Sequence, residues 1–114
     1  MMKLWVDDVR PAPEGYVWCK SVNEAKNYIR YFENCVKDAT KYRLWDRVDH
    51  YSIELISIDH DAGDFYYDGG DFIRVLDWLE ETGRSYPIRI HSMNPVGVEN
   101  MRKIIEKNGW TEVK

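Results

Sequence analysis

The sequence predicts an α/β protein, a three-layer sandwich around a mostly parallel sheet, on two observations. Short apolar runs alternate with longer stretches whose apolar residues recur every three or four positions, which is the pattern of strands joined by crossover helices. Three of those runs, Leu4-Trp5-Val6, Ile53 to Ile58 and Ile88-Arg89-Ile90, end directly in acidic, imidazole or hydroxyl residues. In open α/β sheets the crevice beyond the carboxyl ends of the strands is where ligands bind.

The elements follow in order. Lys3 to Val6 reads as a short strand, and Asp7-Asp8-Val9-Arg10-Pro11-Ala12-Pro13-Glu14-Gly15 as a loop, since its prolines and glycine forbid regular continuation. Tyr16 to Cys19 is β-prone and forms a second strand. Ser21 with Glu24 three residues on makes a capping box, and Val22, Ala25, Ile29, Phe32, Val36 and Ala39 continue it as one apolar helical stripe. Tyr42 to Tyr51 is charged and aromatic without a clean period and is read as a helix end and loop, a small insertion. Ser52 to Ile58 is apolar on both faces, as a central strand buried on both sides requires.

Asp61 to Gly70 contains three glycines and is expected to be a mobile loop over the cleft. Asp71 is expected to cap a helix carrying Phe72, Val75, Leu76 and Leu79, closed by Gly83. Pro87 introduces a strand over Ile88 to His91, in which Arg89 suggests a position near an edge. Asn94 and Pro95 suit the cap and first position of another helix, with Met101, Ile104 and Ile105 inward and Gly109 at its end. Trp110 to Val113 is expected to close the sheet as a fifth strand.

The chain's 114 residues fit one domain, 1–114. Hydrophobic residues at 44% and charged residues at 32% are globular rather than disordered composition. With 16 basic and 20 acidic side chains and a formal charge of -4, duplex DNA is not an expected partner. A small phosphorylated ligand or a short single strand fits better. No apolar run suits a signal peptide or a membrane span. Cys19 and Cys35 lack any Cys-x-x-Cys spacing, so the chain is read as cytoplasmic with reduced thiols. The oligomeric state is not legible.

Asp7, Asp8 and Asp59 meet if their strands are neighbours. Clustered carboxylates repel one another, and a hard divalent cation, magnesium or its substitute manganese, relieves that repulsion. The plainer reading is that these residues only terminate strands; its repetition on two strands argues for the metal. His91 and His60 follow strands at the same edge and suit general acid or base work near neutral pH. The run from His91 to Gly97 leads into a helix N-terminus that favours an anion, with Gly97 permitting close approach. Arg10 can grip a phosphate bidentately. Asp59 to Asp71 lacks the position-six glycine and terminal acid of an EF-hand loop, so calcium is rejected. Phe65, Tyr66 and Tyr67 suit either a lid that stacks on a base or packing against the core edge.

Three motifs then carry a resemblance over nearly the full length. Leu4-Trp5-Val6-Asp7-Asp8-Val9-Arg10-Pro11, Ile56-Ser57-Ile58-Asp59-His60-Asp61, and His91-Ser92-Met93-Asn94-Pro95-Val96-Gly97 with Asn100-Met101 resemble the receiver-like domains that process cyclic phosphates, called cREC. Their parent is the response-regulator receiver, a flavodoxin-like fold. The resemblance implies a five-stranded parallel sheet in order 2-1-3-4-5. It implies magnesium at the acidic pair Asp7 and Asp8 and at the third-strand aspartate Asp59, and matches Ser92 to the hydroxyl residue after the fourth strand. Two departures stand out: the first crossover helix is replaced by the Pro/Gly loop, and the receiver's final-strand lysine has only Lys114 as a candidate. His60, Asp61, His91 and Asn94 are additions an ordinary receiver does not need.

The expected function is a metal-dependent phosphoesterase acting on a cyclic phosphate of a nucleotide or RNA end. Asp7, Asp8 and Asp59 would hold the cation, and His91, or secondarily His60, would move the proton. Arg10, Ser92, Asn94 and the helix start at Gly97 would hold phosphate oxygens. The alternatives are a phospho-accepting signalling receiver with Asp59 as nucleophile, and a non-catalytic nucleotide- or partner-binding module.

Overall fold

The computed structural model describes residues 1–114. Its strands are β1 (Met2–Val6), β2 (Tyr16–Cys19), β3 (Ile53–Ile58) and β4 (Ile88–Ile90); its helices are α1 (Val22–Lys41), α2 (Trp45–Tyr51), α3 (Ile73–Glu81) and α4 (Pro95–Asn108). The strands form one parallel sheet in order β2-β1-β3-β4. The expected fifth strand shrinks to a single parallel bridge between Ile88 and Glu112 beside β4. Only two backbone bonds, Ile88 N to Thr111 O and Val113 N to Ile88 O, hold the chain end there.

The sandwich has two layers, not three. In parallel register Leu4 pairs with Ile56 and Val17, Val6 with Ile58 and Cys19, and Ile56 with Ile88. Most of these residues are buried in one core with Val22, Ala25 and Ile29 of α1, Val75, Leu76 and Leu79 of α3, and Met101 and Ile105 of α4. These three helices therefore cover one face. The cause is topological: α1, α3 and α4 each follow crossovers running the same way across the sheet, and right-handed connections put such helices on one side. Only the β1–β2 connection runs the opposite way, and it is the helix-free loop 7–15. The other face shows Lys3, Trp5, Tyr16, Trp18, Leu55 and Arg89, all half-buried. Arg89 is tolerated there because its guanidinium donates to the Tyr16 hydroxyl at 2.9 Å.

Three local differences have plain reasons. Residues 45–51 form a helix, packed on α1 with no buried residue, so they carry no apolar stripe to read. Asp71 does not cap α3, whose N-cap is Phe72; its carboxylate instead accepts from Ala62 N. The loop 61–70 is pinned rather than free, because the Asp68 carboxylate accepts from Ser21 Oγ (2.6 Å) and Asn23 Nδ2 (3.1 Å). The Ser21 half of the capping box holds: Ser21 Oγ accepts from Glu24 N at 3.0 Å. No helix is long and apolar enough to cross a membrane, and both cysteines are free thiols.

Candidate functional site

β1 and β3 are neighbours, so Asp7-Asp8 and Asp59 emerge together at the carboxyl edge of the sheet. One oxygen from each of Asp7, Asp8 and Asp59 lies within 4.8 Å of the others. Asp8 is raised above the ordinary carboxylate range, first by burial and then by repulsion from Asp7, Asp59 and Asp64. A group held uncomfortably charged beside two others of its kind is what a hard cation relieves, and an oxygen-only donor set suits magnesium or manganese. These residues fit the implied metal.

Asp7 is fixed most firmly. It is 1% exposed; its Oδ1 accepts from Val9 N (3.0 Å) and Arg10 N (2.9 Å), the local turn typical of aspartate. Its Oδ2 lies 3.0 Å from His91 Nε2. The other ring nitrogen of His91, Nδ1, is 2.8 Å from Ser57 Oγ, and Trp5 stacks on the ring with centroids 3.8 Å apart and planes 4° apart. Since the carboxylate can only accept, Nε2 carries the proton and Nδ1 takes the serine's hydrogen. Burial outweighs the pull of Asp7 and lowers the His91 pKa, and the contact is a hydrogen bond that Nε2–H donates to the Asp7 carboxylate. Both ring nitrogens are thus committed to protein atoms.

His60 stands differently. Its Nδ1 is 2.9 Å from Asp61 Oδ1, and Asn94 Nδ2 reaches both oxygens of Asp61 at 3.4 Å. Its Nε2 makes no hydrogen bond within the chain and is not sealed from solvent. His60 packs against Gly97: a Cβ there would sit 2.4 Å from His60 Cγ. Gly97 therefore serves the approach of His60 to α4, not of a ligand.

The α4 N-terminus is also largely spent. Asn94 Oδ1 accepts from Gly97 N (3.0 Å), Asn94 O accepts from Val98 N, and Pro95 has no N–H. Ser92 Oγ accepts from Asn94 N at 3.1 Å and keeps its own hydrogen to donate. Arg10 reaches across, its Nη1 donating to His91 O at 2.9 Å and its Nε 4.0 Å from Asp7 Oδ2. Lys114 is drawn to Glu112 at 3.0 Å and does not supply the receiver's lysine.

The structure therefore gathers Asp7, Asp8, Asp59, His91 and Arg10 into one group. His60, Gly97 and Asn94 stand in a second group beside it, with Asp61, and Ser92 is bonded to Asn94. Sequence reading missed Ser57, Trp5 and Trp18, whose indole donates to Asp7 O at 2.7 Å. Ser57 had a signal: it is the one polar residue in Ile56-Ser57-Ile58. Trp5 lies two residues before Asp7 on one strand face.

A family model described as a cyclic-phosphate processing receiver domain matches residues 2–107. No curated protein and no solved structure matches the chain.

Proposed function

The chain belongs to the family of cyclic-phosphate processing receiver domains, and from that premise we propose that it is a divalent-metal-dependent phosphoesterase opening a cyclic phosphate on a nucleotide or RNA end. The observation that carries this reading is the meeting of Asp7, Asp8 and Asp59 within 4.8 Å at the sheet edge where ligands of such folds bind. Magnesium or manganese bound there would polarise a phosphoryl oxygen and lower the pKa of a water.

The chain's own groups divide the remaining work. His91 is a positioning residue: it holds Asp7 by one nitrogen while Ser57 holds the other. His60 carries the proton through its free Nε2, with Asp61 and Asn94 fixing the ring's other side. It takes the proton of the attacking water and returns it to the ribose oxygen that leaves as the P–O bond breaks. Arg10 and the Ser92 hydroxyl hold phosphate oxygens, joined by the N–H of Val96, the free donor left at the start of α4.

Incubation with cyclic and linear nucleotides in magnesium, manganese or chelator tests the proposal. Turnover of a cyclic phosphate that needs metal, with the pH dependence of its rate altered in His60→Gln, is expected. No turnover of any substrate in any metal overturns it; turnover in chelator removes only the cation from the mechanism. A second reading keeps Asp59 as phospho-acceptor, favoured by an Oδ2 that takes no hydrogen bond while Oδ1 accepts from His60 N. Acetyl phosphate labelling lost in Asp59→Asn would support it.

A further inference from the structure

Loop aromatics ordinarily fold down onto the nearest core edge, yet Tyr66 is 61% and Tyr67 82% exposed. They are not exposed because the loop is loose. Ala62 N is held by Asp71, Asp68 by Ser21 and Asn23, Tyr66 N donates to Gly63 O, and Gly70 N donates to Tyr66 O. The 3₁₀ turn Gly63–Phe65 lies directly on the acid cluster: a Cβ on Gly63 would come 2.2 Å from Asp8 Oδ2. Gly63 also has φ +52°, so its place is open only to glycine without strain. Behind Tyr67 stands Phe65, its ring centroid 6.3 Å away and 27° from parallel. The two other loops at this edge also expose apolar side chains, Val9 at 72% and Met93 at 83%.

We propose that Tyr67, backed by Phe65, is a preformed platform for the aromatic base of the ligand. The site then selects nucleoside and oligonucleotide phosphates over cyclic phosphates of polyols or lipids. This deepens the phosphoesterase reading and rests on it for the position of the phosphate. Asp64 lies in the turn itself, so an anion is disfavoured on the platform and is left to Arg10 and to a cation held by Asp7, Asp8 and Asp59. A flat uncharged ring is the group that suits the exposed tyrosine. Because the backbone is already anchored, stacking requires little ordering of the loop.

The test uses adenosine 3′-monophosphate and glycerol 3-phosphate as probes with magnesium present, read by calorimetry and by the NMR shifts of the adenine protons. The nucleotide is expected to bind roughly ten- to a hundredfold more tightly, the contribution of one base stacked on an aromatic side chain, with adenine protons shifted upfield by the ring. Tyr67→Ala loses that advantage and the shift; Tyr67→Phe keeps both, and the high exposure of Tyr67 lets both variants fold, as their melting curves will show. Equal affinity for the two probes, no binding of the nucleotide, or an unchanged shift in Tyr67→Ala overturns the platform. These readouts involve no turnover. Nucleotide stacking without hydrolysis of any cyclic phosphate therefore leaves the platform standing while the phosphoesterase reading falls.

Discussion

Replacing Asp8 by asparagine should make the metal-free protein more stable and deprive it of its response to magnesium. Carboxylate oxygens of Asp7, Asp8 and Asp59 lie within 4.8 Å. At that separation each like-charged pair repels by about 0.9 kcal/mol at the permittivity of water and about 3.5 kcal/mol at an effective value near 20. Asp8 is only partly buried, which favours the lower figure, and Asp8→Asn removes its share of two such pairs. A gain of about 1–2 kcal/mol is expected in chelator, a rise in Tm of roughly 4–8 °C for a domain of this size. The pH dependence has a definite sign. Folding raises the Asp8 pKa, so the folded state holds this proton more tightly than the unfolded one. This contribution to stability is complete below the ordinary aspartate value and is lost as pH rises through the raised one. The stability advantage of the variant over the chelated wild type should therefore grow as pH rises through that window. Magnesium at a hundred times its dissociation constant should stabilise the wild type by about 2.7 kcal/mol and the variant by much less. Thermal unfolding of both proteins with and without chelator measures all of this. A less stable Asp8→Asn in chelator, or equal stabilisation of both by magnesium, refutes the reasoning.

The other predictions concern the two histidines. His91→Ala should cost about 1–3 kcal/mol, because it leaves the fully buried Ser57 hydroxyl and one oxygen of Asp7 without their partner; an unchanged urea midpoint contradicts this. Gly97→Ala should cost about 1–3 kcal/mol by overpacking, since the new Cβ would fall 2.4 Å from His60 Cγ, and should displace the His60 ring resonances in NMR. An alanine variant with wild-type stability and unmoved His60 signals would mean the two elements are not packed as described.

Much of the site was legible because carboxylates at strand ends are a pattern of residue type and position. Asp7, Asp8 and Asp59 needed only the adjacency of β1 and β3, which receiver-like strand order supplies. The contacts that set the two histidines apart were not legible, since they depend on what each ring nitrogen touches. His91 follows its strand as plainly as His60 follows its own, yet Ser57 and Asp7 occupy both nitrogens of His91, while His60 keeps one free. The layer count failed for a topological reason. Alternating strands and helices announce crossovers, but the face each covers depends on its direction across the sheet, and the one crossover to the far face is the loop 7–15. The helix at 45–51 escaped notice because it buries nothing, and periodicity registers only helices with an apolar stripe. Asp71 looked like a cap by position, but its carboxylate was taken by Ala62 N.

The most direct measurement of the central claim is the fate of oxygen and phosphorus in ¹⁸O-labelled water with a 2′,3′-cyclic nucleotide and magnesium, followed by ³¹P NMR and by mass spectrometry of the protein. The account predicts a phosphomonoester carrying solvent oxygen on phosphorus, a protein of unchanged mass, and loss of product in Asp59→Asn. An intact cyclic phosphate under every metal condition, or phosphorus found on Asp59, contradicts it.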